Sequence, residues 1–196
     1  MVNNAGYGIS GAYEEMTIEE LRAIFETNCF AALRLSQAVL PAMRKQRSGT
    51  IVNVGSVAGV IAVPMDGAYS ATKFALRAMS RSMRMEVAPF GVRVVLVEPG
   101  IVRTDFFSNK VIVDEEVKGE WPYVAMRGAR SLRARSRVMF GGRPERTAMR
   151  IRQVIEGRRP AARYTVGLDA WAGAWAARLL PDGILDFFLR RIVMGE

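Results

Sequence analysis

A chain of 196 residues, half of them hydrophobic, is long enough to bury one sizeable core, and we expect a single domain over 1–196. With no histidine and one cysteine, Cys29, it excludes Ser-His-Asp and Cys-His nucleophilic schemes, a zinc-finger metal site and an internal disulfide, leaving Tyr, Lys, Ser, Asn and carboxylates to carry any chemistry. The net charge of +9 is concentrated between Arg127 and Arg163, where twelve arginines face only Glu145 and Glu156. No aromatic platform interleaves them, so the run reads as a solvated basic face rather than a nucleic-acid site.

Thr17 opens the first helical signature, a Thr-Ile-Glu-Glu capping box. Leu21, Phe25, Ala32, Leu35 and Val39 then recur at helical spacing until Pro41 and the Arg44–Gly49 stretch break it, predicting one long helix over about 17–43. Thr50–Val54 is a β-branched run between Gly49 and Gly55, predicting a buried parallel strand, and 55–67 reads as a loop. A second helix is expected from Tyr69 to about Ala88, stopped by Pro89-Phe90-Gly91, and Val92–Val97 is a strand closed by Glu98-Pro99-Gly100. Helix, strand, helix, strand implies a right-handed parallel α/β layer.

Periodicity dissolves over 101–142, a stretch with Phe106, Phe107, Trp121 and Tyr123 that is expected to form a substrate loop or lid at the carboxyl ends of the strands. Pro144 to Glu156 reads as a helix ending at Gly157, and Arg163–Gly167 as a last strand. The apolar tail over 168–196, broken by Pro181, Asp182 and Gly183, is too interrupted to span a bilayer. It is expected to pack on the domain's own sheet or a second copy, with peripheral membrane contact as the alternative.

On a helix, Tyr69 and Lys73 stack on one face, so the ammonium can favour the ionised phenol and bring a group with pKa of about 10 toward a working range. Ser56, just past a strand, is placed to hold the same substrate oxygen, and Asn28 to anchor a proton relay. A Tyr and a Lys four apart also arise by chance in roughly one chain in three of this size. The joint pattern decides the matter. Asn3-Asn4-Ala5-Gly6, Glu26-Thr27-Asn28, Val54-Gly55-Ser56, Tyr69-Ser70-Ala71-Thr72-Lys73 and Pro99-Gly100 with Thr104 resemble, in order and spacing, the short-chain dehydrogenase/reductase family, and within it the hydroxysteroid and retinol dehydrogenase branch.

The resemblance implies an α/β fold: a partial Rossmann-type doubly wound parallel sheet lacking the first strands and the glycine-rich cofactor turn. It implies Tyr69 as general acid/base, Lys73 tuning it and ordering the nicotinamide ribose, Ser56 on the substrate oxygen and Asn28 in the relay. Asn4, Ala5 and Gly6 would flank the adenosine side of NAD or NADP, and Pro99, Gly100, Val102 and Thr104 the nicotinamide. Gly6, Gly8 and Gly11 lack a preceding strand and read as loop residues. The family's sheet order 3-2-1-4-5-6-7 would leave strands five to seven and the end of the fourth, making Thr50–Val54 an exposed edge. Met1 then reads as an internal methionine, through a mis-called start or a gene fragment.

The expected reaction is hydride transfer between nicotinamide and a carbonyl or secondary alcohol of a bulky apolar substrate. The alternative is a non-catalytic remnant acting as an interaction module. A homo-oligomer through the two long helices and a cytoplasmic setting complete the expectations, the N-terminus showing no basic-then-apolar signal segment.

Overall fold

The computed structural model describes residues 1–113, 123, 126 and 141–193. In chain order these form β1 (Val2–Asn3), β2 (Ile9–Ser10), α1 (Ile18–Phe25), a π-helical turn (Glu26–Phe30) and α2 (Ala31–Lys45), then β3 (Gly49–Val54), α3 (Gly67–Val87) and β4 (Val92–Pro99). Past β4 come β5 (Val111–Ile112), α4 (Pro144–Glu156), β6 (Arg163–Val166), α5 (Leu168–Leu179) and α6 (Asp182–Val193). A four-stranded parallel sheet runs in the order β1-β3-β4-β6.

Alternation along the central strands builds both faces of the core. Ile51 and Val94 point to one side, packing with Met83 and Val87 of α3 and with Leu33 and Val39 of α2. Val52, Val95 and Val97 point to the other, under Ile151 and Val154 of α4. Strands covered on both faces must be apolar throughout, which is why β3 and β4 read as continuous runs.

The elements differ from expectation in four places. Thr50–Val54 is not an edge: Val2 and Asn3 pair with Val52 and Asn53, the Met1 ammonium donates to the Thr50 carbonyl at 2.8 Å, and Val52 N–H donates to Met1 O at 2.9 Å. A buried polar chain pins this stub, with Asn3 Nδ2 donating to Asn53 Oδ1 at 2.7 Å and Asn53 Nδ2 to Ser80 Oγ at 2.8 Å. Pro41 lies inside α2, which runs on to Lys45. Only one intrahelical donor is lost there, and the carbonyl it strands belongs to exposed Gln37.

β4 extends to Pro99 because Glu98 and Pro99 pair with Thr165 and Val166 of β6; Glu98, 1% exposed, lies 3.2 Å from Arg77 of α3 and 3.5 Å from Arg163 of β6. Among its described residues the tail is two helices in which Ala170 of α5 is the buried position, and most of its large apolar side chains are exposed rather than packed into the sheet. Two local readings match: Thr17 caps α1 with Glu20 reaching back to its N–H at 2.8 Å, and Gly91 takes φ +74° in the turn into β4. Trp121 and the arginines from Arg127 to Arg137 lie outside the described residues, as does most of the expected lid.

Candidate active site

The carboxyl ends of β1, β3 and β4 open into one cavity of about 1820 Å³. Ser56 follows β3 and caps the short turn Val57–Gly59, its Oγ accepting from Ala58 N–H at 3.1 Å. Tyr69 and Lys73 lie in the first two turns of α3, and both line the cavity together with Ser56. Gly59 makes this approach possible: a Cβ there would lie 2.8 Å from the Lys73 carbonyl oxygen.

Tyr69 shares a hydrogen bond with Ser56, yet burial pushes its phenol up to about 12. Lys73, 5% exposed, donates from Nζ to the Val54 carbonyl at 3.0 Å and sits 5.7 Å from the Tyr69 ring centre. Burial holds its ammonium down to about 8. The expectation that Lys73 draws Tyr69 toward neutrality is therefore corrected. The phenolate loses hydration on burial, and the ammonium spends its hydrogen bond on a strand carbonyl at the foot of the site.

Asn28 occupies the π-helical turn, a rare local geometry inside an otherwise α-helical run. It is 1% exposed and stands behind the cavity wall, where Tyr7 N–H donates to its Oδ1 at 3.0 Å. Its Nδ2 donates to Tyr7 O at 2.9 Å and to Thr72 Oγ1 at 3.2 Å. Asn28 thus ties the Asn4–Gly8 loop to α3. Gly6 lies against this clamp, since a Cβ there would come within 3.0 Å of Asn28 Oδ1 and 3.7 Å of Lys73 Nζ.

Asn4 and Gly6 face the cavity but Ala5 does not; Pro99, Gly100, Val102 and Thr104 form its opposite rim. Asp169 of α5 accepts from Ile101 N–H at 2.6 Å and fills the space a side chain at 100 would need. Among the described residues no group of three or more acidic or cysteine side chains is arranged to hold a metal.

Sequence reading missed three features here. The loop after β4 is tied down by β5 pairing in parallel with β2, next to Gly8 and Gly11. Phe106 packs 5.3 Å from the Tyr69 ring. Lys110 is buried beside Phe107 and paired with Asp66 at the start of α3, yet burial still holds its ammonium down to about 7. Two-residue ladders and a lone Lys-Asp contact across 44 positions carry no sequence period that would reveal them.

Residues 1–113 match the short chain dehydrogenase family. The chain belongs to that family. It is 37% identical over 97% of its length to a 3-ketodihydrosphingosine reductase of Bacteroides thetaiotaomicron, of which it spans 71%. A short-chain dehydrogenase structure from Streptomyces avermitilis superimposes with a TM-score of 0.77 at 34% identity, over 97% of this chain and 67% of that one. Another, from Burkholderia cenocepacia in complex with NADP, gives a TM-score of 0.67 at 25% identity over 96% of this chain and 69% of its own. Membership makes the sheet a Rossmann-type one and the chain a member of an oxidoreductase family.

Proposed function

We propose that this chain is an NAD(P)-dependent oxidoreductase acting on the carbonyl or secondary alcohol of a bulky apolar substrate, with Tyr69 as general acid/base. The observation carrying this reading is the convergence of Ser56, Tyr69 and Lys73 on one cavity wall, facing a rim of Pro99, Gly100, Val102 and Thr104. Asn4 and Gly6 at the β1 end of the same cavity support a place for the adenosine side of the dinucleotide, and the rim at 99–104 a place for its nicotinamide. The nicotinamide supplies or accepts the hydride when bound.

In the reducing direction Ser56 Oγ and Tyr69 Oη hold the substrate carbonyl oxygen, and Tyr69 gives its proton as that oxygen becomes an alkoxide. A phenol near 12 is a strong enough acid for an alkoxide and remains protonated at neutral pH, which suits carbonyl reduction. Lys73, donating to the Val54 carbonyl, keeps positive charge at the foot of the site. Asn28 is a positioning residue, acting through Tyr7 and Thr72. In the oxidising direction the same groups run in reverse, with Tyr69 receiving the alcohol proton.

Phe106 beside Tyr69, with Phe107 against it, supports an apolar substrate, as does the similarity to a 3-ketodihydrosphingosine reductase. Exposed Phe30, Leu35 and Phe74 on the first two long helical stretches support a second copy as partner. Replacing Leu35 with Lys should then shift sedimentation velocity toward monomer.

Titration with NADH and NADPH, read by nicotinamide fluorescence and thermal protection, tests the core of this reading. Binding of either supports it. No response to either removes catalysis and leaves the non-catalytic interaction module. Given binding, Tyr69→Phe should cut turnover of apolar ketones by two to four orders of magnitude, the usual range for a lost acid/base group, and leave cofactor affinity in place. Retained turnover removes Tyr69 from the role.

A further inference from the structure

The loop after β4 carries a buried ion pair into the cavity beside Tyr69. Lys110 and Asp66 both line that cavity, their side chains 7% and 10% exposed, and the Lys110 ammonium donates to Asp66 Oδ1. Asp66 immediately precedes α3 and lies three positions before Tyr69, so the carboxylate and the phenol are neighbours about one turn apart. Phe106 lies 5.3 Å from the Tyr69 ring, Phe107 lies 5.5 Å from Phe106, and Lys110 Nζ lies 5.9 Å from the centre of the Phe107 ring. Ammonium and phenol thus stand at opposite ends of one aromatic pair.

The stem of Lys110 is held in place by the backbone of Gly8, where a Cβ would lie 2.7 Å from Lys110 Cε and 3.2 Å from Phe106 Cζ. On either side the loop is tied to the core without help from charge. Val111 N–H donates to Gly8 O and Val113 N–H to Ser10 O, both at 2.9 Å, and Val113 is 3% exposed among Ile9, Ile24 and Ala68. An apolar pair of similar volume would hold the loop as well, because taking two charges out of water often costs more than their attraction offsets. The cost is visible in Lys110, whose ammonium burial holds down to about 7 even beside a carboxylate.

What an apolar pair would lack is hydrogen-bond donors. An ammonium has three, and among the described residues Asp66 takes one of those on Lys110. Asp66 makes a further interaction of its own, so the group presented to a ligand is the ammonium. The neighbouring wall of Val63, Phe106 and Phe107 is apolar, and a donor left unmatched in such surroundings is costly until an oxygen meets it. Because the carboxylate already balances the ammonium, the fitting oxygen is neutral: a hydroxyl or a second carbonyl rather than a carboxylate or phosphate.

We propose that Lys110, held by Asp66, is a specificity-determining residue that donates to a hydroxyl or second carbonyl of the substrate, across Phe106 and Phe107 from the oxygen that Tyr69 handles. The preferred substrate is then an apolar alcohol or ketone carrying a second oxygen function. Its turnover rests on the oxidoreductase reading above; binding of the second oxygen by Lys110 does not.

Isothermal titration calorimetry of the full chain with octan-2-ol and with the octane-2,4-, 2,5-, 2,6- and 2,7-diols tests the assignment without requiring turnover. The probes share one carbon chain and differ only in whether and where a second hydroxyl sits. One diol should bind the wild type more tightly than octan-2-ol does. In Lys110→Met its advantage over octan-2-ol should fall at least tenfold, the loss of one hydrogen bond from a charged donor. Should that variant misfold by leaving Asp66 buried and uncompensated, Lys110→Met with Asp66→Asn removes both charges and should show the same fall. A wild type that binds no diol better than octan-2-ol overturns the assignment whatever the variants do. So does a variant that weakens all the probes equally, which would make the ion pair a loop latch only. A diol preference that depends on Lys110, without nicotinamide-dependent oxidation of any probe, would uphold the subsite and overturn its part in turnover alone.

Discussion

Replacing Lys73 with Met separates what the site needs from what the fold needs. Methionine keeps the unbranched length of the side chain and removes the ammonium, which burial depresses from 10.5 to about 8. At 1.36 kcal/mol per pH unit, holding the charged form at pH 7 costs the folded state about 3 kcal/mol. Against that gain, the variant loses the hydrogen bond to Val54 O, about 1.5–3 kcal/mol for a charged donor. Lys73→Met should therefore be as stable as the wild type at pH 7 or more stable by up to about 2 kcal/mol, while losing turnover.

The pH dependence sharpens this test. A lysine with depressed folded pKa contributes stability that is present above the unfolded value of 10.5 and lost as pH falls through about 8, so the advantage of Met should shrink as pH rises from 8 to 10. Tyr69 has the opposite sense: raised to about 12, its contribution is complete below pH 10 and is lost only above that. Lys110 is present in both proteins and cancels. Urea unfolding of both proteins at pH 7 and pH 10 gives the comparison. A loss of more than about 2 kcal/mol at pH 7, or a difference that does not change with pH, would refute the reasoning.

Asn28→Ala strips the clamp from Tyr7 and Thr72 and should cost about 2–4 kcal/mol in urea unfolding; a loss below about 1 kcal/mol would show the loop is held by other means. Glu98→Gln should stay within about 1 kcal/mol of wild type, because burial outweighs the attraction of Arg77 and Arg163. Its folded pKa is raised, so the contribution of Glu98 is lost as pH rises, and acidification does not weaken the fold through this group. A loss above about 3 kcal/mol would mean the pairs outweigh desolvation. Gly91→Ala should cost about 2 kcal/mol or more by the same assay, since φ is +74° and the added methyl would press on the Arg47 carbonyl; a neutral result would show the turn can relax.

Much of the fold was legible because its signals are local. The Thr17 box, the Pro144 start and Gly157 end of α4, and the β-branched runs of β3 and β4 each act within a few residues of themselves. The gathering of Ser56, Tyr69 and Lys73 at one cavity follows from their offsets along strand, turn and helix. What escaped depends on partners far along the chain. Met1 to Asn3 cover β3 from about 50 residues away, and buried Glu98 is met by Arg77 and Arg163 from two other elements.

By itself, the sequence determined the order of the elements, the residue types available for chemistry and the family to which they belong, because periodicity, capping and motif spacing are properties of neighbouring residues. Tertiary structure alone decided the electrostatics. Tyr69 is raised and Lys73 lowered by burial and by a carbonyl that β3 delivers, so their proton affinities follow from desolvation, which spacing along a helix does not encode. It also decided which side of the C-terminal hairpin meets the cavity and which meets solvent, because that orientation depends on Gly173 seating against Val57 and Ile61.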